Sequence, residues 1–90
     1  MVQRWHIFFA GQVQGVGFRY TSMRASWNRP ITGWVRNLPD RRVEMMAEGD
    51  GDELQQFVDE VCETTFGNVT GVTVEKSKPT GEFQGFEILG

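Results

Sequence analysis

The stretch Gly11-Gln12-Val13-Gln14-Gly15-Val16-Gly17-Phe18-Arg19 places the tightest limits on the fold of this chain. An apolar run, Ile7-Phe8-Phe9-Ala10, leads into it, and a helical segment over 20–27 leads out. It therefore reads as a glycine-rich loop between a strand and a helix. Glycine reaches backbone conformations closed to other residues, so such a loop can turn several N–H groups toward one point. The first turn of the following helix adds unpaired N–H groups and the positive end of its dipole. Together these suit an anion, phosphate above all. On the glycines alone, a tight turn kept for its geometry explains the pattern equally well. Arg19 tips the balance toward the anion, because its planar fork can hold two phosphate oxygens. No Gly-Lys-Ser/Thr follows, so this is not a Walker loop, and the glycine spacing does not fit a dinucleotide fold.

The rest of the chain supplies the elements around that loop. Residues 4–10 alternate, with Trp5, Ile7 and Phe9 on one side and His6, Phe8 and Ala10 on the other, as in a central strand. A helix is expected over 18–28, with Asn28 as its left-handed stop and Pro30 forbidding continuation. Residues 31–37 form a strand, 38–41 a tight turn, and 42–48 the return strand, with Val43, Met45 and Ala47 on one face. The clearest helix covers 50–65, where Leu54, Phe57, Val58, Val61 and Cys62 share a stripe. Asp50 and Glu53 form a capping-box pair at its start. Residues 69–78 make a strand with Thr70, Val72 and Val74 on one face, 78–81 a turn, and 83–89 a short closing strand. The order β-α-β-β-α-β implies an α+β fold, the ferredoxin-like split-βαβ sandwich: an antiparallel sheet with two helices on one face.

Ninety residues bound the chain to one domain, 1–90. The single cysteine, Cys62, excludes an internal disulfide and fits a reducing, cytoplasmic setting. On its helical stripe Cys62 is a core residue rather than a nucleophile. No segment is long enough to span a membrane, and the apolar run at the start is too short for a signal peptide. The net charge of −3 is unevenly spread. Residues 1–43 hold seven arginines and one acid, Asp40, whereas residues 44–90 hold two lysines and eleven acids. The loop lies in the positive part, which would attract a small anion; equally, the two parts could complement each other across the surface.

Two segments resemble a known family. Residues 11–19 are similar to the first signature of the acylphosphatases. Gly33-Trp34-Val35-Arg36-Asn37, followed by Val43 and Gly49, is similar to the second. Both occur in the family's order and separation, and the resemblance covers nearly the whole chain. It implies a metal-independent hydrolase that splits the carboxyl–phosphate bond of small acyl phosphates into a carboxylate and inorganic phosphate. It further implies that Arg19 and Asn37 are catalytic. Arg19 and the loop residues Gln14, Gly15, Val16, Gly17 and Phe18 would bind the phosphoryl group, while Asn37 would hold the attacking water. By position alone, Asn37 at a strand end is a turn residue. The chain departs from the family at Arg29-Pro30-Ile31, where Leu-Gly-Leu is usual, and at Arg41, where Gly is usual and a side chain is forced to positive φ or into another turn type.

No Ser-His-Asp or Cys-His arrangement is visible, and His6, the only histidine, is structural. No ligand spacing points to a metal, and no cofactor is expected. The expected partner is the small acyl phosphate alone, with no nucleic acid and no membrane, acting on a monomer. Two other readings use the same plan. One is a non-catalytic, phosphate-binding regulatory module, as in larger maturation proteins; the end of the chain at Gly90 favours the stand-alone enzyme. The other is an RNA-binding domain with Trp5, Phe8, Phe9 and Trp34 as stacking aromatics. The acidic balance and the lack of an RNP motif oppose it.

Overall fold

The computed structural model describes residues 1–89 and contains five strands and two helices in the order β1 (Val2–Gln12), α1 (Phe18–Ser26), β2 (Thr32–Asn37), β3 (Val43–Asp50), α2 (Gly51–Thr64), β4 (Asn68–Ser77) and β5 (Phe86–Ile88). The sheet order is β4-β1-β3-β2-β5. The first four strands pair antiparallel, as the split-βαβ plan requires. The fifth is parallel to β2, with Val35 opposite Ile88, which makes the whole sheet mixed. Its anchors are backbone bonds from Gly33 N to Gly85 O and from Leu89 N to Val35 O, at 2.8 and 2.9 Å. Phe83, assigned to this strand from sequence, instead lies in the crossing loop beneath the Arg4 guanidinium.

Alternation decides which side of the sheet the helices cover. Trp5, Ile7 and Phe9 of β1, Val35 of β2, and Val43, Met45 and Ala47 of β3 are all buried on one side. Phe18 and Ala25 of α1 and Leu54, Phe57, Val58 and Val61 of α2 close over them. Burial of this apolar surface is the main favourable term for a chain this short. Cys62 packs at the margin of that core, and burial pushes its thiol pKa up, as expected of an inert core residue. In β4 the expected face is revised. The register slips between Ala10 and Gly11, so Val69 pairs with Gly11 and Gly71 with Ala10. Thr70 is left over at this bulge, and Val69, not Thr70, joins Val74 against the core.

The other face of the sheet is held by ion pairs. Glu44 is nearly buried; its Oε1 accepts from Arg36 Nε at 2.6 Å, and its Oε2 lies 2.7 Å from His6 Nε2. Glu48 accepts from the Thr80 and Gly81 amides at 2.8 and 2.9 Å, which pins the crossing loop that feeds β5. Burial alone would raise the pKa of both carboxyls. The His6 and Arg36 bonds at Glu44, and the loop amides at Glu48, outweigh it and hold both below the usual carboxylate value. The role of His6 here is structural, as its isolation in sequence implied.

Both helix boundaries carry corrections. Asn28 is not a left-handed stop: α1 ends at Ser26, Trp27 is right-handed, and short turns through Arg29 lead to β2. Arg29, one of the residues that departs from the family, clamps that exit onto α2 by reaching Glu53 and Glu60, each at 2.9 Å. Glu53 is thus engaged with Arg29, and the cap of α2 is Asp50 accepting from the Asp52 amide at 3.0 Å. Arg4, Arg29 and Arg36 all pair with acids from the second half of the chain. The two parts of the charge split therefore complement each other across the surface at these three arginines.

Candidate active site

The loop between β1 and α1 closes on two left-handed glycines, Gly15 (φ 75°) and Gly17 (φ 76°). A Cβ built on either would meet nothing within 4 Å. The demand for glycine is therefore conformational and not a matter of space. Gly17 occupies the N-cap position of α1, where no side chain caps the helix and no acid stands in the first turn. Arg19 lies in that turn.

A cavity of about 230 Å³ opens at this point. Gly15, Gly17, Phe18 and Arg19 line it from the loop side, and Asn37 lines it from the end of β2. Residues eighteen positions apart in sequence thus meet because β2 returns beside β1 with only β3 between them. Asn37 Oδ1 is buried, and among the described residues it is the one such side-chain atom with no hydrogen-bond partner in the protein. Leaving a buried acceptor unsatisfied costs about 1–3 kcal/mol, so such an atom beside a cavity suits a water or ligand donor.

Two of the loop residues named from sequence do other work with their side chains. Gln14 Nε2 donates to the carbonyls of Leu38 and Arg42, at 2.8 and 2.9 Å. It is a strut that ties the loop to the β2–β3 turn immediately after Asn37. Val16 packs against the core and is not among the cavity-lining residues. Val13, Tyr20 and Ile88 do line the cavity, although sequence reading did not name them as site residues. Tyr20 follows Arg19 directly and could have been flagged. Ile88 could not, because its presence depends on the parallel pairing of β5. Arg41 adopts φ 75°, which decides for positive φ between the two alternatives that the family's usual glycine left open, with Arg41 N bonded to Leu38 O.

The acylphosphatase family model matches residues 5–88. An acylphosphatase of Bacillus velezensis is 42% identical over 86 residues, covering 94% of this chain and 96% of the relative. One of Methylococcus capsulatus is 41% identical over 90 residues, covering 98% and 97%. The chain belongs to the acylphosphatase family. The crystal structure of acylphosphatase from Bacillus subtilis superposes with a TM-score of 0.91 at 40% identity, covering both chains completely. The reaction class is hydrolysis of an acyl phosphate to a carboxylate and inorganic phosphate. Among the described residues no helix is long and apolar enough to cross a membrane, and no group of three or more His, Cys, Asp and Glu could hold a metal ion.

Proposed function

We propose that this acylphosphatase divides its chemistry between Arg19 and Asn37, with the loop amides of 14–18 as the phosphoryl cradle. The phosphoryl oxygens lie on the backbone N–H groups of Gln14, Gly15, Val16, Gly17 and Phe18 and on the N-terminus of α1. Arg19 holds two of those oxygens and offsets the charge that moves during transfer. The amide of Asn37 holds a water in line; its oxygen can accept a hydrogen bond from that water while its NH2 donates to a neighbouring oxygen, a pairing of roles that an ionised carboxylate cannot offer. The water oxygen attacks phosphorus, the bond from phosphorus to the acyl oxygen breaks, and the carboxylate leaves with the electron pair. The proton from water passes to a phosphoryl oxygen or to solvent. A mixed anhydride has a good leaving group, so placement and charge stabilisation suffice without a protein nucleophile.

The observation that carries this reading is the unpartnered, buried Oδ1 of Asn37 in a cavity shared with Arg19 and the two left-handed glycines. The same reading takes the enzyme as one domain over residues 1–90, a cytoplasmic monomer that acts on small acyl phosphates without nucleic acid, cofactor or metal. Kinetics of two variants with chelator present test it. Asn37→Ala lowers kcat by about 10²–10³-fold, the cost of one lost transition-state contact. It leaves competitive inhibition by inorganic phosphate nearly unchanged. Arg19→Ala weakens both turnover and phosphate inhibition. A comparable loss of phosphate inhibition in Asn37→Ala would undo the division of roles, and phosphate binding without turnover in the unaltered enzyme would favour a regulatory module.

A further inference from the structure

The cavity walls differ in chemistry from one part to another. Arg19, Asn37 and the two glycines supply polar groups, and Val13 and Phe18 form a buried apolar floor. Tyr20 and Ile88 remain, and both are partly open to solvent, at 52% and 37% exposure. They form an apolar rim beside the polar end. A phosphoryl group seated on the loop must direct its acyl substituent outward past this rim.

Tyr20 is braced in place. The Arg24 guanidinium lies over its ring, 5.9 Å from the centroid. Trp27 meets it edge-on, with centroids 6.3 Å apart and planes at 89°. These partners stand four and seven residues along α1, the spacing that puts side chains on one helical face. A large aromatic ring held at the mouth of a cavity offers a flat apolar surface whose conformational cost is already met. Ile88 is fixed by the backbone bonds that anchor β5 on either side of it.

We propose that Tyr20 and Ile88 form the acyl-group subsite of this enzyme, and that it favours a planar, aromatic acyl group over a small aliphatic one. The proposal rests on the phosphoryl group occupying the loop as described above. An aromatic acyl group would lie against the Tyr20 ring, with Ile88 covering another part of its apolar surface, whereas an acetyl group is too short to gain from either contact.

The test is kcat/KM for benzoyl phosphate and for acetyl phosphate in the unaltered enzyme, Tyr20→Ala, Tyr20→Phe and Ile88→Ala, with the inhibition constant of inorganic phosphate measured in each. The benzoyl-to-acetyl ratio is expected to fall about tenfold in Tyr20→Ala, the size of one lost aromatic contact plus its apolar area, and to fall also in Ile88→Ala. It recovers in Tyr20→Phe, and the change lies in KM. A ratio that does not move, or a ratio lost equally in Tyr20→Phe, overturns the subsite. Phosphate inhibition keeps the two readings apart. If Arg19→Ala leaves it unchanged, the loop assignment fails; if only the substrate ratio fails to respond, the acyl subsite fails alone.

Discussion

The two helices of this protein begin in opposite ways. At α2, Asp50 is extended (φ −61°, ψ 140°), its side chain accepts from the Asp52 amide, and Asp52 and Glu53 fill the first turn with negative charge. At α1, the N-cap is Gly17 in the left-handed region (φ 76°, ψ 20°), with no capping side chain and no acid in the first turn. Every helix starts with unpaired N–H groups and a positive dipole end. The protein supplies its own anions at α2 and none at α1. In the function proposed above, the substrate's phosphoryl group takes that place at α1, so that one end would serve stability and the other function. The difference lies in a handful of residues: a carboxylate in place of glycine, an extended backbone in place of a left-handed one, acids in place of Arg19.

The strongest way to break this contrast is to give α1 an anion of its own. Gly17→Asp and Gly17→Asn both place a side chain at positive φ, a conformation that Asp and Asn tolerate better than most residues. The space for a Cβ is open, so the two variants share the same modest strain. Only the aspartate sets a negative charge at the proposed phosphoryl position. Repulsion between like charges a few ångströms apart in a partly shielded site is on the order of a few kcal/mol. Steady-state kinetics should therefore show Gly17→Asp at least about tenfold below Gly17→Asn in kcat/KM, with inorganic phosphate a correspondingly weaker inhibitor. Equal kinetics in the two would mean that the α1 end is not where the substrate's charge sits.

The converse change, Asp50→Ala, should move stability and not turnover. Asp50 caps α2 and also receives the Met1 ammonium at 2.7 Å. The hydrogen bond from that ammonium, and then the Asp52 amide, hold its carboxyl pKa below the usual value. A carboxyl whose folded-state pKa is depressed contributes stability above its unfolded-state pKa and loses that contribution as pH falls through the folded value. Thermal melts should find Asp50→Ala less stable than the parent at neutral pH. The gap should narrow as pH is lowered past roughly 4. kcat/KM on acyl phosphates should stay at the parent value. A gap that persists unchanged in acid would show that Asp50 acts through packing and not through its charge.

Much of this contrast was legible before any coordinates. The glycines, Arg19 and the acidic start of α2 are local features, and local chemistry is what a sequence displays. Asn37 was legible only through its place in the second motif, since an asparagine at a strand end commonly serves a turn. What a sequence displays poorly is pairing between distant segments. The parallel alignment of β5 with β2 depends on where the loop after β4 crosses the sheet, and that crossing is set by Glu48 gripping the Thr80 and Gly81 amides. Alternation in 83–89 carries no trace of it, so Ile88 was not named at the site. The bulge at Thr70 escaped for a related reason, because a one-residue slip is a property of two strands and not of one. Glu53 matched a capping-box spacing, yet Arg29 competes for it from another element. Gln14 was named for its backbone amide; that its side chain is the strut to the β2–β3 turn depends on a segment far along the chain.

That strut leads to the smallest predicted effect, at the one left-handed residue that is not glycine among those described. Arg41 sits at φ 75° in the turn whose carbonyls, Leu38 O and Arg42 O, receive Gln14 Nε2. A left-handed non-glycine residue costs roughly 1–2 kcal/mol, while glycine loses about 0.5–1 kcal/mol more backbone entropy on folding. Arg41→Gly should therefore stabilise the protein by no more than about 1 kcal/mol in a denaturant melt. The effect on catalysis sharpens the comparison between the two helix ends. At Gly15 and Gly17 the left-handed backbone lines the cavity proposed as the site, whereas at Arg41 it closes a turn that the loop leans on. If that distinction holds, kcat/KM in Arg41→Gly matches the parent while the melt shifts. A change in kcat without a change in stability would mean instead that the strained turn sets the position of Asn37 through Leu38, and that the site extends into the β2–β3 turn.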